Sequence, residues 1–410
     1  MNVFSLSWRY LWSRPLATTL NLVLLSLGLA SMAFVIILQH HAERAFERDL
    51  AGIDVVVGAK GSPMQLILSG VFHIDVPPGN IPLAEAKRLA QHPQVAQLIP
   101  LSLGDNLQGF RIVGTTPAYV AHYGAKLAQG ALWAAPMQAV LGAQVARHTG
   151  LKLGQPFEGA HGLGAGGAVH DATPYVVTGV LAPCGCVLDR LILTATESVW
   201  QVHDDMHAGE GMDEAEKAEL AEALAADREI TLALLRYKTP LAAASFPRFV
   251  NQSTSMQAAA PAIEITRLLH MVGVGTQALR VLAVVLLAVA GLSVFIALWN
   301  AVRERRDDLA MLRMLGAPPQ KVALLLLLEA LWLAALACAG GLLAAHGLAA
   351  LIGQWLMDSQ SLSISGWQWV PAEGWVPVLA LGVAVVAACL PVASVYRIDV
   401  TQLLNSRSHS

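Results

Sequence analysis

The sequence has little charge for its length. Only 13% of its 410 residues are Asp, Glu, Lys or Arg, against roughly a quarter in a typical soluble domain. The 26 basic residues are balanced by 29 acidic ones, and 55% of the chain is hydrophobic. This composition excludes a purely soluble globular enzyme, a disordered chain and a nucleic-acid binder with a basic patch.

The apolar residues are concentrated in four runs long enough to cross a membrane. Each has about 20 residues or more, which is the length a helix needs to cross about 30 Å of hydrocarbon. The first run has no charged side chain and is about twice the length of a signal-peptide core, so it is predicted to be an uncleaved span. The predicted spans are residues 16–38, 281–301, 322–352 and 375–395.

Basic residues predict the orientation of these spans. Lys and Arg occur in the short segments 1–15, 302–321 and 396–410, whereas the loop 353–374 has none. Because basic residues accumulate on the cytoplasmic side, these three segments are predicted to be cytoplasmic. The segment 39–280 is then a large external domain, which in a bacterial inner-membrane protein lies in the periplasm.

The external segment alternates between strand-like and helix-like stretches. We predict strands at 53–57, 95–101, 109–114, 175–181, 191–194 and 230–237, and helices at 82–91, 140–149 and 212–226. This mixture predicts an α+β domain between the first and second membrane helices. Residues 40–50 and 262–280 extend the adjacent spans without a helix break, so both spans are predicted to continue outward as a stalk.

The segment after the second span resembles a known family. It reads RERRDDLAMLRMLGAPPQKV, and the third span follows with LLLLLEALWLAALACAGG. Together with the phrase VLGAQVARHTGLKLGQPF and the closing LPVASVYRIDVTQLL, it is similar to the FtsX-like/MacB-type ABC permeases, the type VII group that includes lipoprotein-releasing permeases. The resemblance covers nearly the whole chain and implies a MacB-like periplasmic domain.

What the resemblance implies for the cytoplasmic segment is a coupling helix that binds a separate ATPase. Its residues themselves form an apolar stripe at helical spacing within charged sequence, ended by a glycine and two prolines. A helix lying on lipid is the alternative interpretation. The candidate docking residues are Glu304, Arg305, Asp308, Leu309, Leu312, Arg313, Leu315, Gly316 and Ala317.

The sequence has no phosphate-binding loop of its own. No G-x-x-x-x-G-K-[ST] pattern occurs, and GAKGS at 58–62 has its lysine before the wrong glycine. We therefore expect a non-catalytic chain with no cofactor of its own, whose ATP and Mg²⁺ are held by a partner. Because such ATPases act as dimers, two ATPase copies and a second permease copy are expected, as a homodimer or a close pair.

The predicted spans have almost no polar lining. Glu329 and His346 are the only ionisable residues well inside, and Glu329 is either functional or a packing carboxyl. Ala337, Gly341 and Ala345 form a small-residue face for close helix packing. Without a hydrophilic path, mechanical transmission to the periplasmic domain is the expected output.

The external domain contains two candidate metal-binding pairs. His203 and His207 have i, i+4 spacing, which suits a divalent metal on a helix, although solvated histidines are the simpler interpretation. Cys184 and Cys186 flank one glycine and have three alternatives: a labile disulfide, thiolate ligands for zinc or copper, or inert thiols.

The predicted function is that of an ABC transporter permease that exports or extracts a periplasmic or outer-leaflet substrate. A periplasmic adaptor, a lipoprotein and membrane lipid are candidate partners, and nucleic acid is not. One alternative is an FtsX-like signalling subunit that regulates a periplasmic partner. The other is a component of a zinc- or copper-linked ABC system.

Overall fold

The computed structural model describes residues 3–162, 174–207, 228–304, 311, 317–359 and 366–396. Several helices begin at or next to a proline, which has no N–H to leave unpaired at a helix start. The helices are α1 (Val3–Leu11), α2 (Pro15–Leu50), α3 (Pro63–Gly70), α4 (Leu83–Ala90), α5 (Pro117–His122), α6 (Ala143–Thr149), α7 (Thr196–His207), α8 (Ala242–Ser253), α9 (Pro261–Glu304), α10 (Pro319–Ser359) and α11 (Trp375–Val395).

The strands all lie between α2 and α9. Short 3₁₀ turns occur at Val187–Arg190 and Pro371–Gly374. The strands are β1 (Val55–Ala59), β2 (Ile81–Pro82), β3 (Val95–Leu107), β4 (Phe110–Thr115), β5 (Leu127–Gly130), β6 (Gln138–Leu141), β7 (Pro156–Phe157), β8 (Ala160–His161), β9 (Tyr175–Leu181), β10 (Ile192–Ala195), β11 (Glu229–Ile230), β12 (Leu232–Tyr237) and β13 (Met256–Ala259).

Eleven strands within the described residues form one mixed sheet. Its main path runs β13-β1-β12-β3-β4-β10-β6-β9-β5, with β7 on β9 and β8 on β3. The pairs β4–β10 and β6–β9 are parallel, and the other pairs are antiparallel. The long β3 pairs with β12 through its first half and with β4 through its second, across an irregularity between Leu103 and Asn106. β2 and β11 form a separate two-stranded sheet.

The α+β prediction for this domain is confirmed, with one local correction. We predicted a helix over 140–149, but Val140 and Leu141 end β6 and the helix begins only at Ala143. Gly142 separates the two elements, and a Cβ there would overlap the backbone carbonyl oxygen of Leu188. The predicted helix 212–226 lies outside the described residues.

The chain divides into two compact units. One comprises residues 1–43 and 272–410, and the other comprises residues 44–271. In the described part of the first unit, four helices are long and apolar enough to cross a membrane: Pro15–Leu50, Gln277–Glu304, Pro319–Gln354 and Pro371–Val395. The predicted four-span architecture, with an α/β domain between the first two spans, is therefore confirmed.

The second unit encloses its own apolar core. β-branched and leucine side chains of β1, β3, β4, β10 and β12 are almost fully buried, as are the aromatic rings of Tyr119 and Phe246. Alternate residues of β9, from Tyr175 to Leu181, are buried, which is the pattern of a strand with one face on the core. The last turns of α2 and the first turns of α9 pack against this core.

Candidate functional site

The predicted coupling segment is bracketed by two long helices. α9 ends at Glu304 and α10 begins at Pro319, so Glu304 and Ala317 are the described members of the candidate set. Glu304 forms an ion pair with Arg14, which lies between α1 and α2. Arg305, Asp308, Leu309, Leu312, Arg313, Leu315 and Gly316 lie outside the described residues, and their docking role stays a prediction.

The small-residue face of α10 is buried against the first span. Ala337 and Ala345 are at most 1% exposed. A Cβ added at Gly341 would lie 2.9 Å from the carbonyl oxygen of Ser26 and 3.0 Å from Cβ of Leu29. The backbones of α2 and α10 therefore approach too closely for any side chain at this position, as small-residue helix packing requires.

The outer end of α2 is tied into the α/β unit by several contacts. Asp49 Oδ1 accepts a hydrogen bond from the Val187 amide at 3.0 Å, and the Asp49 carbonyl accepts one from the Tyr123 hydroxyl at 2.9 Å. Arg48 donates to the carbonyl of Gly185. The ring of Phe46 meets Phe72 edge to face at 5.1 Å. The last two turns of this helix are thus part of the domain core.

The outer end of α9 is anchored in the same core. Ile265 is 7% exposed and belongs to the main apolar cluster, against which Leu268 also packs. Glu264 is buried and bonds Arg267 at 3.1 Å, one turn later. Both helices that enter the membrane unit therefore begin or end as fixed parts of the α/β unit.

A buried polar cluster stabilises the loop that carries Phe72. Arg111 donates to the carbonyl of Asp75 at 2.9 Å, and Arg190 donates to the carbonyl of Phe72. His73 is buried in the left-handed backbone region, with φ 55°, and its Nε2 lies 3.0 Å from the hydroxyl of Tyr119. Burial, reinforced by the positive charges of Arg111 and Arg190, holds the pKa of His73 well below its ordinary value.

This shift predicts that acid destabilises the α/β unit. In the unfolded chain His73 takes up a proton near pH 6.5, whereas in the folded chain it stays neutral. The free energy of unfolding therefore falls as pH drops below about 6.5, by on the order of 1 kcal/mol per pH unit. Pulse proteolysis in urea at pH 7.5 and 5.5 checks this. His73→Asn, which tolerates positive φ, should remove part of the loss, and the exposed His148→Asn should not. Equal pH dependence in all three proteins contradicts the prediction.

A buried histidine–glutamate pair joins α10 to the 3₁₀ turn that precedes α11. His346 Nδ1 lies 2.7 Å from the Gly366 carbonyl, and Nε2 lies 2.9 Å from Glu373 Oε2, while Glu373 is fully buried. Because a carbonyl only accepts, Nδ1 is the protonated nitrogen of this contact. The sequence marked His346 as ionisable but gave no sign of its partner, which lies 27 residues further along the chain.

The candidate metal residues are placed only in part. The backbone of His203 and His207 is helical, within α7, as their spacing requires. The sulfur atoms of Cys184 and Cys186 form a disulfide, one of the three alternatives for this pair, and as a disulfide neither sulfur is a thiolate ligand. Among the described residues, no group of three or more His, Cys, Asp or Glu side chains is arranged to hold a metal.

The fold and the spans together define a polytopic membrane protein with an α/β domain between its first two spans. The model of the MacB-like periplasmic core domain matches residues 18–227, and that of the FtsX-like permease C-terminal region matches residues 280–400. The chain belongs to the FtsX-like/MacB-type ABC permease family. Its members are membrane permeases with a periplasmic domain, generally non-catalytic, that work with an ABC ATPase partner as dimers.

Solved structures of two external domains are also similar to this chain. The periplasmic region of MacB from Actinobacillus actinomycetemcomitans matches with TM-score 0.34 and 13% identity, over 53% of this chain and 95% of that one. The extracellular domain of the noncanonic ABC-type transporter YknZ from Gram-positive bacteria matches with TM-score 0.30 and 10% identity, over 50% and 98%. Comparison with curated proteins gives no match.

Proposed function

We propose that this chain is the permease subunit of an ABC transporter that transmits ATP-driven movement to its periplasmic domain. A separate ATPase, in two copies, binds the cytoplasmic coupling segment, and two permease copies form the membrane part. The resulting change in the periplasmic domain exports or extracts a substrate from the periplasm or the outer leaflet. The permease lies in a bacterial inner membrane, and its large domain lies in the periplasm.

The continuity of α2 and α9 is the observation that carries this proposal. With 36 and 44 residues, these helices span about 54 and 66 Å at 1.5 Å per residue, which exceeds the roughly 30 Å hydrocarbon core. Each passes from the membrane unit into the α/β unit without a break, and Asp49 and Ile265 fix their outer ends. A rigid helix transmits tilt or rotation where a flexible linker would absorb it.

Breaking α2 between the two units tests the proposal. Ala42→Pro removes a helical hydrogen bond and kinks the helix, at a cost of about 3 kcal/mol or more. In the full complex, hydrogen exchange of β3 and β12 should differ between the ADP-bound and vanadate-trapped states of the wild type. The variant should bind the ATPase and hydrolyse ATP, but this difference should disappear.

Ala42→Ser is the matched control, because it keeps the helix and should retain the nucleotide-dependent exchange difference. A wild-type complex whose external domain exchanges identically in both nucleotide states contradicts mechanical transmission. So does an unchanged difference in Ala42→Pro.

A further inference from the structure

The segment 366–374, which precedes α11, is packed closely against α10. A Cβ at Gly366 would overlap the backbone of Ala350, so the two backbones are in direct contact. Further along the segment, Val370 is 2% exposed and belongs to the apolar cluster of the membrane unit. Glu373 is fully buried in the 3₁₀ turn. This packing places the Glu373 carboxyl group beside the helix, where its only described side-chain partner is a histidine.

The hydrogen bonds of the His346–Glu373 pair are complete only when the pair holds two protons. The first is on Nδ1 of His346, which donates to the Gly366 carbonyl at 2.7 Å. A carboxylate only accepts, and so does an unprotonated imidazole nitrogen. The 2.9 Å contact between His346 Nε2 and Glu373 Oε2 therefore needs a second proton on one of these two atoms. The pair is then either an imidazolium with a carboxylate or an imidazole with a carboxylic acid, and its net charge is zero in both.

Burial makes the loss of this second proton costly. The side chains of His346 and Glu373 are 13% and 0% exposed, so water cannot replace the missing hydrogen bond at Glu373. The other carboxyl oxygen, Oε1, already accepts a hydrogen bond from the Val370 amide at 3.1 Å. Without the second proton, two acceptor atoms would face each other and the buried pair would carry a net negative charge. The segment 366–374 can then lower its free energy by leaving α10.

The surrounding elements supply no charge that would replace this proton. The stretches 16–38 of α2, 281–301 of α9, 366–372 and 375–395 contain no Asp, Glu, Lys, Arg or second histidine. The ionisable residues that flank or interrupt these stretches and α10 are His40, Arg280, Glu329, Cys338, Asp358 and Cys389. On α10, Glu329 and Asp358 lie about 25 and 18 Å from His346 along the helix axis, at 1.5 Å per residue. Among the described side chains, no hydrogen bond or ion pair joins His346 or Glu373 to a third ionisable group.

We propose that His346 and Glu373 form a proton-binding site that attaches the segment 366–374 to α10. The ligand is one proton, held between Nε2 and Oε2. By the orientation that the basic residues predict, this end of α10 faces the periplasm, so the proton comes from outside the cell membrane. The site makes the connection between α10 and α11 sensitive to external pH. The proposal is independent of whether the chain transmits movement to its periplasmic domain.

The direction of the pH dependence follows from the proton count. When the segment is detached, Glu373 is an ionised carboxylate and His346 is a neutral imidazole above about pH 6.5. Attachment then takes up one proton. The equilibrium constant for attachment therefore falls as pH rises above about 6.5, by about tenfold per pH unit. Between about pH 5 and 6 both states hold two protons, and attachment does not depend on pH.

Hydrogen exchange of the wild-type, full-length protein in detergent tests the site. Mass spectrometry follows a peptide that covers residues 366–374, with labelling times scaled to the intrinsic exchange rate at each pH. We expect the protection of this peptide to be constant between about pH 5 and 6 and to fall by about tenfold per pH unit above about pH 7. Peptides of the α/β unit are an internal reference, because that unit is predicted to lose stability in acid. This series needs no variant that folds.

Two substitutions separate the proton from the side chains that hold it. In Glu373→Gln the amide nitrogen donates to Nε2 of the neutral imidazole, and the amide oxygen accepts from the Val370 amide. The segment should then stay protected at every pH without a second proton. His346→Gln cannot bond Glu373 and Gly366 together, so its protection should be lower than in the wild type and independent of pH. The exposed Glu47→Gln and His148→Gln are matched controls and should keep the wild-type profile.

Three results would overturn the proposal. The first is a wild-type protection that does not change with pH once labelling times are scaled. The second is a fall with pH that survives in Glu373→Gln or His346→Gln. The third is a folded Glu373→Gln protein whose segment is less protected than that of the wild type at every pH, because the carboxylate charge rather than the proton would then hold the segment. If Glu373→Gln does not fold, the wild-type and His346→Gln profiles decide.

Discussion

Replacing Leu312 or Leu315 with Asp is expected to abolish co-purification of the ABC ATPase subunit with this permease. Both residues belong to the apolar stripe of the predicted coupling helix. If that stripe fills a groove of the ATPase, a buried carboxylate without a partner costs several kcal/mol. A loss of about 4 kcal/mol corresponds to roughly a thousandfold in affinity. Pull-down from membranes that contain both subunits measures the effect.

Gln320→Asp is the matched control, because it adds the same charge at an exposed position in the first turn of α10, close to the connection but outside the stripe. It should retain the ATPase. The purified permease alone should hydrolyse no ATP in any of these forms, since its sequence has no phosphate-binding loop. Undiminished ATPase binding by Leu312→Asp would show that this segment is not the docking element.

Gly341→Leu is expected to have the second large effect, on the stability of the membrane unit. A Cβ at this position would already lie 2.9 Å from the Ser26 carbonyl oxygen and 3.2 Å from the Ala30 amide nitrogen. These are backbone atoms, which cannot move aside without separating α2 from α10. Overpacking typically costs about 1–3 kcal/mol and occasionally more. We expect Gly341→Leu to lower the free energy of unfolding by an amount at the upper end of this range or beyond. A leucine side chain adds four carbon atoms at a position where even the Cβ does not fit.

Thermal unfolding in detergent, followed by size-exclusion chromatography of heated samples, measures this loss. Gly347→Leu is the matched control on the same helix, since no atom lies within 4 Å of a Cβ built there. That variant should unfold within a few degrees of the wild type. Similar unfolding temperatures for the two variants would show that the close approach at Gly341 does not limit stability.

The membrane unit was largely predictable because its signals are local. The run from Leu16 to Leu38 has no charge, and small residues recur every four positions on α10. Such patterns report burial in lipid and helix contact directly. The partner of the small-residue face was not predictable, because the approach of Ser26 to Gly341 joins residues more than 300 positions apart.

The α/β unit was predictable in class and partly in detail. Tyr175–Leu181 was predicted as a strand to the residue, and in the structure every second side chain of this strand is buried. The stretch 140–149 was predicted as one helix because Val140 and Leu141 continue an apolar pattern that either structure could contain. Val140 and Leu141 are in a strand because β6 pairs with β9 and β10. A short apolar run does not indicate which strands it will pair with.

The candidate sites show the same division. His203 and His207 share a helix, which is the condition under which their i, i+4 spacing suits a metal, but spacing alone does not bring a third ligand. The pair His346–Glu373 arises from a contact between α10 and the 3₁₀ turn before α11. Long-range contacts of this kind depend on helix packing, which a single sequence does not encode in any local pattern.

The oxidation state of Cys184 and Cys186 depends on the direction in which the chain was inserted into the membrane. Disulfides form and persist in oxidising compartments such as the bacterial periplasm and are reduced in the cytosol. With four spans, reversing the insertion would expose the α/β unit to the reducing side and both chain ends to the oxidising side. A reversed molecule would therefore carry two free thiols at Cys184 and Cys186, near the end of α2. A thiol-alkylating reagent, added without prior reduction, would modify these two residues in reversed molecules and leave them unmodified in correctly inserted ones.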